Sequence, residues 1–406
     1  MTTTTTRTTA PTAPTTTIDP DTLRARAVAL APALAERVAE ADGLRRLPDA
    51  TIADFQDAGF FRMLQPRRWG GLEVDPQVLF DVQMTIAAAC ASSAWVLGVV
   101  AVHAWQLALF PLEAQQEVWA DDASTLISSS YAPTGKVERV PGGFRLSGRW
   151  SFSSGCDHCR WAFLGGLVPP AEDGRPPEMR TFLVPRRDYR IDDTWHVMGL
   201  RGTGSKDVVV DGTFVPEHRT HRLIDGFKRS SPGNELNPAP LYRLPFGQVF
   251  VRSVSTSAIG IAQGALDAYR AATAARVAAS DGAKVALDPA AQTVAARAAA
   301  TLRELRGTLH RNFDDLLARV RAGDDLPLET RLQCRLDSSL AVTRSVEVVD
   351  ALFTESGGRA IFLTSPLHRA FLDVHCARAH YANNPEKPAR NLGGVLLGGK
   401  NVDFFV

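Results

Sequence analysis

The chain has 406 residues, 45% of them hydrophobic, which is enough for a large core and suggests two or three domains. Its 45 basic and 44 acidic residues leave a formal net charge of +1, so no global field favours nucleic acid or an anionic membrane as partner. Five sparse cysteines, Cys90, Cys156, Cys159, Cys334 and Cys376, fit a reducing compartment better than a disulfide framework, and a cytoplasmic location is expected.

Eleven of the first seventeen residues are threonine, so residues 1–18 read as a disordered tail without the apolar region of an export signal. Asp19-Pro20 opens a helix that runs through Ala41, and Pro48 starts a shorter one ending at Gly59. After the loop Arg67–Gly71 come helices over 75–93 and 95–109. The second is the longest apolar stretch, yet His103 and Gln106 interrupt it, and it falls short of the roughly 20 residues that span a bilayer. Residues 19–122 therefore form a helical domain.

From Ser124 the pattern turns to β-branched and aromatic runs broken by glycine. Strands are expected at 126–131, 137–140, 144–152, 160–167, 180–185, 195–198 and 207–215, making residues 123–230 a β-barrel or sandwich. Helical periodicity returns over 246–280, 288–322, 328–356 and 365–383, a four-helix bundle within residues 231–406. The fold class is α+β.

Within the middle domain, Leu146–Gly166 (LSGRWSFSSGCDHCRWAFLGG) sets Ser151, Ser153 and Ser154 at a strand end beside Trp150, Phe152 and Trp161. Small hydroxyls next to aromatic faces suit a flat heteroaromatic ligand, although an ordinary Ser/Gly turn over buried rings reads the same way. Cys156-Asp157-His158-Cys159 is half of a zinc motif without its other half, so no metal is expected. Gly202–Lys206 lacks the spacing of a phosphate loop, and no G-x-S-x-G elbow or dinucleotide fingerprint is present.

Three domains in this order, with RRWGGLEV (67–74), the 146–166 segment, MGLRGTGSKDVVVDGTFVP (198–216) and FLDVHCARAHYANNPEK (371–387), resemble the acyl-CoA dehydrogenase superfamily over roughly residues 20–400. Within it, the strings look most like the oxygenase components of two-component flavin-dependent monooxygenases that hydroxylate phenols. One departure separates the chain from the dehydrogenases of this fold. Their catalytic glutamate is missing, and the corresponding region reads His380-Tyr381-Ala382-Asn383.

The resemblance implies reduced FMN or FAD and O₂, a C4a-hydroperoxide of the flavin as oxidant, a separate NAD(P)H:flavin reductase, and a homotetramer. It places Ser154 at flavin N5 with Phe152 and Ser153 as backbone contacts, Trp95 and Ser129 beside the ring, and His380 and His103 over flavin and substrate. It places Arg276 and the pair Gly357-Gly358 at the flavin of an adjacent subunit. Trp95 and His103, eight residues apart on one helix, can line one wall of a pocket. His375 and His380 differ by roughly 140° of helical rotation, so only His380 is assigned to the site. An ordinary histidine pKa near 6.5 would suit His380 to proton transfer at neutral pH. Asp373 reads as a residue that orients a neighbour. Oxidation of nitrogen or sulfur, acyl-CoA dehydrogenation, and a non-catalytic flavin-binding scaffold are the alternative readings.

Overall fold

The computed structural model describes residues 18–170, 176–277, 282, 284–403 and 406. The Thr-rich segment lies outside these residues. Asp19 caps the first helix by accepting from the backbone N–H groups of Asp21 and Thr22. That helix, α1 (Pro20–Glu36), breaks at Arg37, and α2 (Val38–Leu44) continues, where one helix was expected. Then follow α3 (Asp49–Asp57), α4 (Pro76–Ala89), α5 (Ala91–Leu107) and α6 (Leu112–Trp119), the last unexpected from sequence. The α4/α5 break falls at Cys90, whose backbone is extended, rather than at Ser93–Ala94.

Sixteen of the seventeen residues of α5 are buried, which makes it the central post of the molecule. The Gln83 side-chain amide, on α4, ties it in place. Nε2, with two hydrogens to share, lies 3.2 Å from Ala94 O, 2.7 Å from Ser253 O and 2.8 Å from Ser257 Oγ, so α4, α5 and the first bundle helix share one buried knot.

The middle domain is one seven-stranded mixed sheet of β1 (Ile127–Val140), β2 (Gly143–Ser153), β3 (Trp161–Val168), β4 (Glu178–Pro185), β5 (Arg190–Asp192), β6 (Lys206–Pro216) and β7 (Thr220–Arg222), in the order β5-β6-β2-β1-β3-β4-β7. The runs 126–131 and 137–140 are one long strand, residues 195–198 form none, and β5 and β7 are additional. Strand β1 pairs parallel with β3 over its first half and antiparallel with β2 over its second. The sheet therefore bends about β1 and wraps a core that includes Phe144, Trp150, Leu164, Phe182 and Val208.

After the short α7 (Leu223–Lys228), the bundle is built from α8 (Phe246–Ala274), α9 (Pro289–Ala322), α10 (Leu328–Ser356) and α11 (Pro366–Arg378), and α12 (Glu386–Leu396) closes the described chain. Helix α8, not α5, is long and apolar enough by composition to cross a membrane, but 89% of its apolar window is buried in the fold. It is the core helix of the bundle. Helix α11 ends at Arg378, five residues earlier than the periodicity suggested, because Asn383 folds back and its Nδ2 captures Ala377 O at 2.8 Å and Val254 O at 3.2 Å. That early stop takes His380 off the helix.

Candidate flavin and substrate site

Strand β2 ends in a distortion. Its pairing with β6 shifts register between Trp150 and Ser153, Phe152 takes a positive φ of 66° that only strain or function accounts for in a bulky residue, and Gly155 follows at φ 70°. A side chain at Gly155 would meet Val96 at 2.9 Å, so glycine is required twice over. The outcome is that Phe152 stands 71% exposed beside Trp195, while Ser154 turns inward toward α5.

There Trp95 Nε1 donates to Ser154 Oγ at 3.1 Å. Ser154 Oγ lies 2.7 Å from Ser205 Oγ, and Ser205 Oγ lies 2.7 Å from Thr203 Oγ1. Thr203 also fixes the backbone, its carbonyl accepting from Gly155 N at 2.9 Å. The segment Gly202–Lys206 is thus the buried support of the Ser154 turn. Its Lys206 reaches Asp157 at 3.1 Å, which holds the neighbouring Cys156–His158 turn. Cys156 and Cys159 are free and buried, their sulfurs facing Gly204 O and Gly155 O, and burial pushes the Cys156 thiol up to about 12.

From Trp95 an arc of rings leads away from Ser154. Trp95 meets His380 edge to face at 5.7 Å, His380 lies 6.4 Å from Phe250, Phe250 is 5.1 Å from Tyr131, and Tyr131 is 6.3 Å from His103. Helix α5 supplies Trp95 and His103, α8 supplies Phe250, β1 supplies Tyr131 and the turn after α11 supplies His380. Ser129 lies two residues before Tyr131 and shares its face of β1, whereas Ser130 points to the other face and donates to Ser151 O at 2.7 Å.

Both histidines of the arc are held neutral. His103 is 1% exposed, its Nδ1 lies 2.6 Å from Ile127 O, and burial pulls its pKa down to about 4. Since a carbonyl only accepts, Nδ1 carries the hydrogen and Nε2 keeps a lone pair, buried and without a partner. His380 has the opposite tautomer. Its Nδ1 accepts from Ala382 N at 3.2 Å, so the hydrogen sits on Nε2. Desolvation, reinforced by the Arg335 guanidinium, pulls its pKa down to about 4 as well. The ordinary value near 6.5 expected from sequence does not hold here. In this environment His380 is a hydrogen-bond donor at neutral pH.

Residues 21–125 match the acyl-CoA dehydrogenase N-terminal domain and residues 253–385 its C-terminal domain. The chain is 44% identical over 363 residues to the oxygenase subunit HsaA of a flavin-dependent monooxygenase from Rhodococcus jostii, covering 89% of this chain and 94% of that one. It belongs to this family of monooxygenase oxygenase components. A second relative, the oxygenase component of an FADH₂-dependent resorcinol hydroxylase from a Rhizobium species, is 33% identical over 382 residues, covering 92% of this chain and 93% of that one. The crystal structure of a 3-HSA hydroxylase from Rhodococcus superposes with a TM-score of 0.91 at 42% identity, covering 96% of this chain and all of that one.

Against this family, the sequence-derived site residues fall into two groups. Trp95, Ser129, Phe152, Ser153, Ser154, His103 and His380 lie around the arc and the β2 turn. Arg276 and Gly357-Gly358 do not. From Phe250 to the end of α8 is 24 residues, about 36 Å of helix, and Arg276 lies just beyond. Gly357 ends α10 with φ 62°, and both glycines are open, with nothing near a would-be Cβ. Tyr269 feels the charges of both Arg276 and Glu355, so the ends of α8 and α10 lie on the same side of the bundle. Exposed Ile361, Phe362 and Leu363 follow immediately.

Asp373 is buried. It accepts from Leu200 N at 2.6 Å and anchors the 198–204 loop on α11, where a side chain at Gly199 would strike Leu372 O at 2.4 Å. His375 pairs with Asp350 on α10 at 2.9 Å, outside the arc. Phe250, Tyr131, Thr203 and Ser205 were not singled out from sequence, because each joins the arc or the Ser154 turn only through partners in other elements.

Proposed function

We propose that this oxygenase component hydroxylates a phenolic or polycyclic aromatic substrate, using reduced FMN or FAD delivered by a separate NAD(P)H:flavin reductase in the cytoplasm. The observation that carries the reading is the arc Trp95–His380–Phe250–Tyr131–His103, which begins at the Ser154 hydroxyl. It offers aromatic faces throughout and two differently directed imidazoles, the surroundings that a flat flavin and a flat substrate both require. Five buried or partly buried cysteines, all free, agree with a reducing compartment.

Reduced flavin, when bound, would supply the two electrons that activate O₂, one atom of which goes to the substrate and the other to water. The chain does the rest. Ser154 would meet the flavin at its N5 edge, and Trp95, Ser129 and the backbone of Phe152 and Ser153 would hold the ring. His380 directs Nε2–H at the developing charge on oxygen. His103 uses its free Nε2 lone pair to accept the substrate hydroxyl hydrogen, which orients the phenol and raises electron density on its ring. The apolar faces exclude water and so favour transfer to substrate over loss as hydrogen peroxide.

Arg276 and Gly357-Gly358 serve the flavin phosphate of another subunit in a homotetramer. Their separation from the arc supports this division, and so does the apolar segment Ile361–Leu363 at the same end of the bundle. The test is to supply purified protein with a flavin reductase, NADH, FMN or FAD, and a panel of phenols alongside amines and thioethers. Hydroxylated phenol is the expected product. Turnover confined to the nitrogen or sulfur substrates, or none at all with every compound, would overturn the assignment.

A further inference from the structure

The hydrogen bonds behind Ser154 have a direction, and that direction follows from which groups can only give or only take. Trp95 Nε1–H has no lone pair to offer, so Ser154 Oγ is the acceptor of their 3.1 Å contact. At the other end, Leu200 O only accepts, so Thr203 Oγ1 donates to it at 2.9 Å. Each hydroxyl has a single hydrogen. With Thr203's hydrogen committed to Leu200, the 2.7 Å contact between Thr203 and Ser205 uses the hydrogen of Ser205. With that one committed, the 2.7 Å contact between Ser205 and Ser154 uses the hydrogen of Ser154. Ser205 and Thr203 are 4% and 1% exposed, too enclosed for bulk water to rescue a reversed orientation. Leu200 O also accepts from Thr203 N and Trp195 Nε1, each at 3.1 Å, so what opposes reversal is the 2.9 Å contact itself, which without the Thr203 hydrogen would set two acceptor oxygens against each other. Ser154 Oγ is left with one free lone pair and no free hydrogen.

We infer that Ser205 and Thr203 are positioning residues that lock Ser154 as a hydrogen-bond acceptor, so that the site selects the reduced flavin over the oxidised one. Reduced flavin carries a hydrogen on N5 and can donate to Ser154. Oxidised flavin presents a lone pair on N5, and two lone pairs face each other. The inference rests on the placement of Ser154 at the N5 edge, but it assigns the choice of redox state to two side chains behind Ser154 that need not touch the flavin.

The consequence has an unusual sign. Removing the Ser205 hydroxyl frees the Ser154 hydrogen to turn outward and donate to oxidised N5. Ser205→Ala is therefore expected to bind oxidised flavin more tightly, by about three- to tenfold for one recovered hydrogen bond, while reduced flavin binds no better. Thr203→Val, which removes the next acceptor in the line, should shift the ratio in the same direction, and Ser205→Thr, which restores a hydroxyl, should return it toward the wild-type value. The measurement is anaerobic titration of the full-length protein with oxidised and with dithionite-reduced FMN and FAD, giving the ratio of dissociation constants without turnover. A packing role for Ser205 would weaken both forms alike and leave the ratio unchanged, which overturns the inference. Ser154→Ala separates the two claims. If it alters neither affinity, the placement of Ser154 at the flavin fails and the inference falls with it; if it weakens reduced flavin while Ser205→Ala and Thr203→Val keep the wild-type ratio, the placement stands and the directed chain is refuted.

Discussion

The backbone N–H of Ala382 donates to Nδ1 of His380 at 3.2 Å, and Ser339 Oγ donates to the carbonyl of the same Ala382 at 3.1 Å. Arg335 in turn donates to Ser339. Helix α10 thereby holds the turn that fixes His380 as an Nε2–H donor, and His380→Ala should keep flavin binding while the oxygen transfer step slows by roughly 10²-fold. Oxygen would still be consumed, so hydrogen peroxide per NADH rises and product per NADH falls. His380→Gln, which can present a side-chain N–H, should recover part of the coupling. Because the imidazole is neutral down to about pH 4, the free enzyme should show no His380 limb between pH 6 and 9. A limb near 6.5 that disappears in His380→Ala would contradict this.

His103 poses the complementary case, an acceptor. His103→Asn can still donate from its amide to Ile127 O, so the fold should survive, but the Nε2 lone pair is gone from its position. Hydroxylation should fall by about 10² or more with flavin affinity unchanged. His103→Ala should also lose stability, on the order of 1–3 kcal/mol, since the Ile127 carbonyl loses this bond and the buried ring leaves a cavity. Equal hydroxylation rates in wild type and His103→Asn would remove His103 from the chemistry.

Buried titratable groups set a pH dependence of stability with opposing parts. His103 and His221 have folded pKa values of about 4 and about 3, below the ordinary 6.5, so the unfolded chain binds more protons between these limits. Stability is full above about 6.5 and is lost as pH falls through that window. Asp373 runs the other way. Burial raises its carboxyl from 3.8 to about 6, so the folded chain holds the extra proton and stability declines as pH rises from about 4 to 6. Asp373→Asn keeps an oxygen to accept from Leu200 N and removes the buried charge. Its melting temperature should exceed that of wild type at pH 8 by a few degrees and match it near pH 4. A lower melting temperature at pH 8 would show that the charge itself stabilises the loop.

The order helical domain, sheet, helical bundle was legible because each carries its own hydrophobic period, and long elements such as α10 were read to the residue. The failures are instructive at His380 and Cys90. Local periodicity runs straight through residues 378–383, and the helix stops there through side chains, Asn383 reaching across to α8 and His380 capturing Ala382 N. Strands β5 and β7, three residues each, exist because β6 and β4 are beside them and not because of their own propensity. Around the arc, Ser154 and His380 were singled out from motif resemblance, and the fold brings both to Trp95. Ser205 was not, since its role depends on a hydroxyl 51 residues away and on a carbonyl behind it.

The proposed assignment of Arg276 to the flavin of a neighbouring subunit leads to a test of assembly that needs no crystal. Arg276 and Ser154 belong to opposite ends of one protomer, so a flavin held by both must take them from different chains. Arg276→Ala alone should weaken flavin binding by about tenfold or more through loss of a charge-assisted contact to phosphate, and Ser154→Ala alone should weaken the reduced form. When the two variants are unfolded together and reassembled in equal amounts, chance pairing gives about a quarter of the sites an intact Ser154 from one subunit and an intact Arg276 from another. A biphasic titration with reduced flavin is therefore expected, its tight phase close to the wild-type affinity. If both groups served the flavin of the same protomer, no mixture could regenerate a tight site, and the titration would show only the two weakened classes.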